Sequence, residues 1–330
     1  MKLLPARERA RRSVRDVVSL RGWQRDDLGA MAAMINARVA DEGSVTELVT
    51  ETVLASVYDH LIGSDPERDI VVAVDDTGAL AGYARVGCEE LLDGTRNYVL
   101  AFEGHGEVAR QMFRWAFDRA GVRAADDPHP NQRFDAWAAD GTERQQVILD
   151  AGCFEAFGWS ATMVRPHLDD VPALALPDGV ATRPVEPAHL RAIWEADVEA
   201  FRDHGDEPER ANDDDWQRFL DEAGLGAELW QIAWDRDGVA GQVRTRVTPG
   251  EAESLGRRRA WTENISTRRD RRGQGIASAL IAASLRQLAE LGFDEAALGV
   301  DLHNPTGALS VYERLGYHVV QRYTSYRYVP

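Results

Sequence analysis

Two arginines and two glycines stand close together where a helix is predicted to begin, and their residue types suit phosphate binding. Arg271 and Arg272 are followed by Gly273, Gln274 and Gly275, after which an amphipathic pattern starts. Glycines permit positive φ and place no Cβ in the path of a ligand that approaches the backbone. Arginines add bidentate donors, and the first helical turn adds unpaired N–H groups at the positive end of the dipole. We therefore expect this loop to hold a phosphate or pyrophosphate.

Three kinds of glycine loop bind phosphates, and their spacing separates them. A P-loop carries Lys and Ser or Thr after its last glycine, where this chain has Ile276 and Ala277. A dinucleotide fingerprint fits better, because Asp301 ends the next predicted strand, as a ribose-binding acid would. However, Ser278 replaces its third glycine, and the remaining chain is too short for the rest of a doubly wound sheet. A dinucleotide-binding reductase therefore stays as a third alternative.

The third kind of loop, Arg-x-x-Gly-x-Gly/Ala, resembles that of the GNAT acetyltransferase superfamily, and Arg272, Gly275 and Ala277 fill its positions. The downstream order also resembles the family, with a buried strand, an Asn-Pro helix start and a closing helix and turn at 293–301, 304–305 and 311–317. The resemblance implies an α/β fold with a mixed, mostly antiparallel sheet flanked by helices. In that fold the fourth and fifth strands splay apart and admit an acyl-CoA thioester.

The resemblance also implies which residues bind acetyl-CoA. Ile265 and Thr267 would offer backbone groups of the fourth strand to the pantetheine arm. The pyrophosphate would lie against the loop and the first helical residues: Arg271, Arg272, Gly273, Gln274, Gly275, Ile276 and Ala277. Asn304 precedes a proline, so it is either a helix N-cap or, as in the family, a partner of the pantetheine arm. We expect no metal, because no metal-ligand spacing occurs.

Amide formation from a thioester needs a base for the amine and an acid for the thiolate. Glu263 shares the predicted strand parity of Ile265 and Thr267, so its carboxylate could face the cleft and take the amine proton. It could equally be a solvated strand residue. Tyr312 stands where the family places a tyrosine that protonates the leaving thiolate, and the alternative is a core aromatic residue. The family's oxyanion donor is a backbone N–H near Ile265.

The acceptor pocket leaves a weaker pattern in the sequence. Family members often build it from the loop and helices that follow the first strand. Asp203, His204 and Trp216 lie in that stretch and could hold a cationic amine by charge and aromatic contact. An acidic helix start is also ordinary capping and a solvated face.

The chain reads as two copies of one domain. Similar segments recur about 160 residues apart. Residues 20–28 align with 182–190, residues 70–86 with 230–247, and residues 149–153 with 313–317. Residues 166–179 contain three prolines and no period, which is typical of a linker. We therefore predict a degenerate GNAT-like domain at 1–168, a linker at 166–179 and a catalytic GNAT domain at 179–330.

The first copy keeps two glycines, at 104 and 106, but loses the chemistry. In the sequence alignment Glu103 stands opposite Arg272, and a carboxylate would repel a pyrophosphate. Ile148 stands opposite Tyr312 and has no proton to give. We therefore expect the first domain to be structural, as an interface or as a wall of the substrate cleft.

In the second copy we predict a strand at 179–185, helices at 188–203 and 213–222, a hairpin at 229–247 and a strand at 259–267. A helix at 275–291, a strand at 294–301, a helix at 305–315 and a final strand pair at 317–329 follow.

Composition limits the classes of function. The 330 residues carry a net charge of −17, which argues against nucleic acid as a partner. No apolar run approaches the roughly 20 residues that span a bilayer, and the first residues do not resemble a signal peptide. Cys88 and Cys153 read as buried free thiols. We expect a cytoplasmic protein, a monomer or homodimer, with no membrane partner.

Together these patterns resemble tandem-GNAT proteins, including the mycothiol synthase type. The resemblance implies an acetyl-CoA-dependent N-acetyltransferase that acts on the amine of a small molecule by direct transfer in a ternary complex. Mycothiol synthase itself is one alternative. A non-catalytic acyl-CoA sensor or scaffold is another.

Overall fold

A computed structural model describes residues 18–42, 48–59, 61, 63–202, 213–303 and 307–330. The described chain contains both strands and α-helices, in a mixed order. The strands are β1 (Ser19–Gly22), β2 (Ile70–Val74), β3 (Leu80–Glu90), β4 (Arg96–Gly104), β5 (Gln132–Ala139), β6 (Glu155–Pro166), β7 (Ala181–Thr182), β8 (Gln231–Asp235), β9 (Gly238–Arg246), β10 (Arg259–Thr267), β11 (Glu295–Asp301) and β12 (His318–Tyr328). The helices are α1 (Leu28–Asp41), α2 (Glu51–Asp59), α3 (Gly106–Asp126), α4 (Glu143–Asp150), α5 (Leu190–Phe201), α6 (Asp213–Gly226), α7 (Glu251–Leu255), α8 (Ile276–Glu290) and α9 (Ala308–Arg314).

The described strands form a single sheet in which the strand order of the second half mirrors that of the first. It runs β1-β2-β3-β4-β5-β12-β6-β11-β10-β9-β8-β7, so each half contributes five strands on one side. The last strand of each half pairs with the fifth strand of the other, β6 with β11 and β12 with β5. These two exchanged strands also pair with each other at the centre. The halves therefore share one continuous sheet, and the repeat predicted from the sequence is visible in the strand order.

In both halves the fourth and fifth strands splay apart, as predicted. The parallel pair β10–β11 is joined only from Arg259 to Trp261 on the first strand. The pair β4–β5 is joined only from Arg96 to Val99. Beyond these points the strands diverge and leave backbone groups unpaired between them. Each half thus has an opening between its fourth and fifth strands.

Close packing of a helix on the sheet depends on one glycine in each half. A Cβ at Gly241 would lie 2.9 Å from Cγ2 of Ile276 and 3.0 Å from the carbonyl oxygen of Ser266. A Cβ at Gly82 would lie 2.7 Å from Cγ1 of Val108 and 2.8 Å from the carbonyl oxygen of Glu103. Because these contacts are shorter than a real Cβ tolerates, both positions require glycine for α8 and α3 to lie where they do.

Several predicted elements differ from the observed ones. The segment 317–329 is one strand with bulges, not a strand pair, because it crosses between β5 and β6 and pairs with both. The strand predicted at 179–185 is reduced to Ala181–Thr182, since Pro184 has no N–H to donate. Helix α7 was not predicted.

Neither cysteine forms a disulfide, and both are half-buried rather than buried. Among the described residues, no helix combines the length and apolar character needed to cross a bilayer.

Candidate functional site

A cleft of about 380 Å³ opens between the end of β10, the start of α8 and α9. Its walls bring together most of the residues predicted to bind acetyl-CoA, together with the predicted catalytic tyrosine: Ile265, Thr267, Arg271, Arg272, Gly273, Gly275, Ile276, Ala277 and Tyr312. We call this the C-terminal cleft. Residues 200 and 201, at the end of α5, also line this cleft. The predicted residues Asp203, His204 and Asn304 lie outside the described residues.

A bulge in β10 shapes the wall of this cleft. Glu263 pairs with Arg244 and Ser266 with Gln242, so two residues of β10 stand opposite one of β9. Asn264, within the bulge, has φ +46°, which non-glycine residues rarely adopt. Bulges release backbone groups from the ladder and redirect side chains. The bulge therefore presents backbone polar groups at the opening between the splayed strands.

The bulge also breaks the strand alternation that the sequence predicted. Ile265 packs against the core beneath α8 and lines the cleft. The Glu263 carboxylate instead pairs with Arg246, whose Nη2 lies 3.0 Å from Oε2. Arg246 shares its strand face with Arg244, which points at α5 and α6. Glu263 therefore lies on the α5–α6 side of the sheet rather than in the C-terminal cleft.

The glycine loop has the geometry expected of an anion-binding helix start. Gly273 has φ +74° and Gly275, the N-cap of α8, has φ +84°. A Cβ built at either glycine would have no described heavy atom within 4 Å, so the backbone faces open space. Arg272 is held against the loop, because its Nε donates to Thr267 O (3.3 Å) and its Nη2 to Ala200 O (3.2 Å). Gln274, also predicted to bind, donates to Asp270 O at 3.2 Å.

A buried carboxylate fixes the arginines of this loop, and the sequence analysis missed it. Asp235, at the end of β8, is 1% exposed; its Oδ2 lies 2.6 Å from Nη2 of Arg268 and 2.7 Å from Nη2 of Arg271. The hydrogen bonds from Arg268 hold the pKa of Asp235 well below its usual range, against the opposing effect of burial. The pairing joins residues more than 30 positions apart, so no local periodicity could have revealed it.

The Tyr312 side chain lines the same cleft from α9. It is 7% exposed, and its hydroxyl has no hydrogen-bond partner among the described residues. Burial raises its pKa to about 12, so the phenol keeps its proton at neutral pH. Tyr317 packs 6.2 Å away and is separately tied to Thr262 by a 2.8 Å hydroxyl contact. Tyr312 is thus a protonated phenol that lines the C-terminal cleft.

Sequence comparison agrees with this geometry. Residues 190–317 match the Acetyltransferase (GNAT) family. This segment of the chain is a GNAT domain. It contains α8, the glycine loop and Tyr312, so the family match covers the whole of the C-terminal cleft that the structure describes.

Two curated relatives match over a comparable length. A mycothiol acetyltransferase of Kocuria rhizophila is 31% identical over 169 residues, which is 47% of this chain and 53% of that protein. One of Pseudarthrobacter chlorophenolicus is 31% identical over 160 residues, 48% of each protein. The matched part therefore spans about half the length of these relatives.

Solved structures extend the likeness to the first half. A GCN5-related N-acetyltransferase from Sphaerobacter thermophilus has a TM-score of 0.71 at 22% identity, covering 94% of this chain and 95% of that one. A tandem GNAT protein from the clavulanic acid biosynthesis pathway has a TM-score of 0.65 at 13% identity, covering 94% and 98%. The chain as a whole has the tandem GNAT fold.

A second cleft lies on the other side of the GNAT domain's β10 bulge. We call it the α5–α6 cleft; it measures about 300 Å³ and includes Asn264. Buried Asp197 and half-buried Glu222 face one guanidinium there, with Arg244 Nη2 3.0 Å from Asp197 Oδ2 and Arg244 Nη1 3.2 Å from Glu222 Oε2. Burial raises the pKa of Glu222, although Arg244 opposes that shift. None of these three residues was singled out from the sequence.

Trp216, predicted to bind substrate, packs inside this region of the GNAT domain. Its ring stacks on Phe219 at 5.5 Å and meets Trp194 edge-on at 5.4 Å. Those two neighbours, rather than Trp216, are among the residues that line the α5–α6 cleft. Trp216 therefore supports the wall of this cleft from behind.

The first half has a smaller counterpart of the C-terminal cleft, partly occupied by its own charged side chains. This N-terminal cleft measures about 190 Å³. Arg144 enters from α4 and donates to the carbonyl of Phe102, while its Nη1 lies 3.1 Å from Oε1 of Glu103. Arg38 reaches the other carboxylate oxygen at 2.6 Å. The Glu143 carboxylate accepts a 3.0 Å hydrogen bond from the N–H of Gly106, the first residue of α3.

The strand registers correct the alignment of the two glycine loops. Thr267 pairs with Gly241, and Gly104 pairs with the equivalent Gly82. Gly104 therefore corresponds to Thr267, and Glu103 corresponds to Ser266 rather than to Arg272. Between strand and helix the second half has eight residues, 268–275, where the first half has only His105. The first half has lost the loop itself, and not only its arginine.

Proposed function

We propose that the protein is an acetyl-CoA-dependent N-acetyltransferase that transfers an acetyl group to the amine of a small molecule. One observation carries the proposal: the C-terminal cleft joins splayed strands, an open glycine loop at a helix start and a protonated tyrosine. Each part suits a different portion of acetyl-CoA. The loop suits the pyrophosphate, the strand edge suits the amide-bearing arm, and Tyr312 suits the sulfur.

In the proposed reaction the acceptor amine attacks the thioester carbon directly, so that a C–N bond forms and the C–S bond breaks. Backbone N–H groups at the β10 bulge would donate to the developing oxyanion. Tyr312 would give its proton to the leaving thiolate, which suits a phenol whose pKa is raised to about 12 by burial. Neither cysteine lines the C-terminal cleft, which favours direct transfer over a covalent enzyme intermediate.

The amine must lose a proton on the other side of the bulge. Glu263 faces that side and is about one-third exposed, so it can accept the proton directly or through water. Its partner Arg246, whose Nη2 lies 3.0 Å from Oε2, would hold the carboxylate in place. The acceptor would then enter from the α5–α6 cleft and meet the thioester at Asn264 and Ile265.

The substrate of the curated relatives is a second candidate. Both relatives are named mycothiol acetyltransferase, and the 31% identity over about half of each protein favours a related acceptor. A non-catalytic acyl-CoA sensor would need the same cleft but no proton donor. The hydroxyl of buried Tyr312, which has no hydrogen-bond partner among the described residues, favours the enzyme.

Isothermal titration calorimetry with acetyl-CoA tests the proposal. We expect one site per chain in the natural protein, and binding weakened at least about 100-fold in Arg272→Glu, because the substitution opposes the helix dipole and repels phosphate. Arg236→Glu is the matched control, since Arg236 is 88% exposed on the β8–β9 turn and should leave binding unchanged. Absence of binding in the natural protein would overturn the proposal, and two sites would contradict the account of the first half.

A further inference from the structure

The α5–α6 cleft holds one buried guanidinium between two carboxylates that are bonded unequally. Asp197 uses both of its oxygens: Oδ2 accepts from Arg244 Nη2 at 3.0 Å, and Oδ1 accepts from the Gln242 amide at 3.1 Å. Glu222 uses only Oε2, which accepts from Arg244 Nη1 at 3.2 Å. Its Oε1 has no hydrogen-bond partner among the described residues, and its side chain is 25% exposed. Glu222 therefore has one oxygen available to a ligand.

The described lining of this cleft carries one negative charge more than its cations balance. Arg218 and Asp215 pair with each other. Arg244 faces both Asp197 and Glu222, so one guanidinium is shared by two carboxylates. The buried Nε of Arg244 also lacks a hydrogen-bond partner among the described residues. Because a half-buried charge is costly unless it is paired, an ammonium group is a suitable occupant of this cleft.

The surroundings of Glu222 also make it a stronger base than an ordinary carboxylate. Burial raises the pKa of the Glu222 carboxyl, and Arg244 opposes that shift. The neighbouring carboxylates of Glu263 and Asp197 add to the rise. Since a base with a higher pKa binds a proton more tightly, Glu222 is suited to take a proton near neutral pH.

Glu222 opens onto the point where acyl transfer is proposed. It lines the α5–α6 cleft together with Asn264, which lies between Glu263 and Ile265 in the β10 bulge. The charge of Glu263 acts on Glu222, so the two carboxylates lie near each other. One belongs to α6 and the other to β10. The acceptor amine would thus meet two carboxylates on different elements.

Amide formation removes two protons from an ammonium acceptor. The first must leave before attack, because only the neutral amine has a lone pair for the thioester carbon. The second leaves from the nitrogen of the tetrahedral adduct, which is the stronger acid because its carbon carries oxygen and sulfur. One of the two replaces the proton that Tyr312 gives to the thiolate, and the other goes to solvent. The first removal therefore needs the stronger base.

We propose that Glu222 is a catalytic residue that takes the first proton, from the ammonium group of the acceptor, and that Glu263 takes the second, from the adduct. The inference rests on the proposed function for the acetyl transfer itself. Oε1 of Glu222 accepts a hydrogen bond from the ammonium group, the N–H bond breaks, and its electron pair stays on nitrogen for the attack. Only an acceptor that is charged at the working pH needs this step.

Two aromatic amines separate the two protons. Benzylamine is an ammonium ion at neutral pH, whereas aniline is already neutral and has only the second proton to lose. Glu222→Gln should lower kcat/KM for benzylamine about 100-fold and leave the value for aniline within about three-fold. Glu263→Gln should lower both values. Glu228→Gln, at an exposed position just after α6, is the matched control and should change neither. Mass spectrometry of the acetylated products gives the rates.

The pH dependence separates a base from a residue that only supports the cleft. The loss for benzylamine in Glu222→Gln should shrink as the pH rises toward the pKa of the amine itself, because solvent then removes the first proton. A loss that stays constant with pH, or a loss that is equal for the two amines, overturns the inference.

Carbodiimide labelling tests Glu222 without any acceptor. Dicyclohexylcarbodiimide reacts with protonated carboxyl groups, and peptide mass spectrometry compares Glu222 with exposed Glu228 at mildly acidic pH. We expect labelling of Glu222 to be at least about five-fold faster, because burial raises its pKa and Oε1 is available. Labelling that is no faster than that of Glu228 overturns the inference, even where neither amine is acetylated. Failure to bind acetyl-CoA would instead overturn the proposed function.

Discussion

The two halves of this molecule share a backbone frame and differ in what occupies the cleft. Each has a β-hairpin with a glycine under the following helix, at Gly82 and Gly241, and each has fourth and fifth strands that splay after a few paired residues. In the second half the splay opens into a cleft of about 380 Å³. In the first half it is occupied by the Arg144 guanidinium and its partners.

Two local differences account for the contrast. The connection from the fourth strand to the helix has eight residues in the second half and one in the first, so only the second half has the glycine loop that we propose binds a phosphate. The repeat offset also places Arg144 of α4 opposite Ala308 of α9, which lines the open cleft. A small residue leaves the cleft open and a large cation fills it. The backbone arrangement that the two halves share is therefore not sufficient to form a binding site.

The largest expected effect is on kcat, and it comes from Tyr312 of α9. Ile148 occupies the equivalent place in α4 and serves as the comparison. Tyr312→Phe removes the proposed proton donor and should lower kcat about 10³-fold while leaving acetyl-CoA affinity nearly unchanged. Ile148→Val, at the equivalent place in the first half, should leave kcat unchanged and lower the free energy of unfolding by about 1 kcal/mol. Steady-state kinetics and urea denaturation measure the two outcomes. A Tyr312→Phe enzyme with normal kcat would show that the hydroxyl takes no part in the chemistry.

The second prediction concerns the filled cleft. Arg144 is 6% exposed, and Arg144→Met should lower the free energy of unfolding by about 3 kcal/mol, because buried Glu103 loses one of its two arginine partners. It should not create a second acetyl-CoA site, since the phosphate loop is still missing. Arg110→Met is the control: its half-exposed pair with Asp150 at 3.7 Å should contribute less than about 1 kcal/mol. Two acetyl-CoA sites in the Arg144→Met protein would break the comparison.

The reverse substitution tests whether filling is sufficient. Ala308→Arg should place a guanidinium in the C-terminal cleft and weaken acetyl-CoA binding about 100-fold, which corresponds to about 2.7 kcal/mol. Ala308→Ser adds little volume and should bind within about two-fold of the natural protein. Calorimetry gives both affinities, and circular dichroism checks that each variant is folded. Unchanged affinity in Ala308→Arg would mean that the arginine turns away to solvent.

The sequence predicted most of what local pattern can encode. The Arg-x-x-Gly-x-Ala loop, the amphipathic helix after it and the repeat of the hairpins all depend on neighbouring residues. The mixed sheet and the splayed strands followed from the resemblance, and they are confirmed.

What the sequence could not predict depends on distant contacts. The exchange of β6 and β12 joins residues more than 150 positions apart, and nothing local marks it. The bulge at Asn264 moved Glu263 to the other face, because one inserted residue reverses strand parity. The sequence alignment placed Glu103 opposite Arg272 because glycines 104 and 106 have the same spacing as glycines 273 and 275. The first half has no corresponding loop, since α3 already begins at Gly106. Strand register, rather than residue type, was needed to see the deletion.

The smallest expected effect on acetyl-CoA binding comes from Asp235 of the β8–β9 hairpin. Asp75, at the same place in the β2–β3 hairpin, serves as the control. Registers align Asp75 with Asp235, and both side chains accept hydrogen bonds within their own turn. Only Asp235 also pairs with two arginines of the glycine loop, Arg268 and Arg271. Asp235→Asn should therefore weaken acetyl-CoA binding about ten-fold, since Arg268 and Arg271 lose the anchor that positions them. Asp75→Asn should leave binding unchanged.

Acid titration sharpens this last contrast. Because Arg268 lowers the pKa of Asp235 in the folded protein, the carboxylate stabilises the fold fully above its ordinary pKa of 3.8. That contribution is lost as the pH falls toward the lowered folded-state value. The difference in unfolding free energy between the natural protein and Asp235→Asn should thus be constant near neutral pH and shrink in acid. A difference that grows as the pH falls would show that Asp235 is not ionised in the fold, and the anchoring of the phosphate loop would need another explanation.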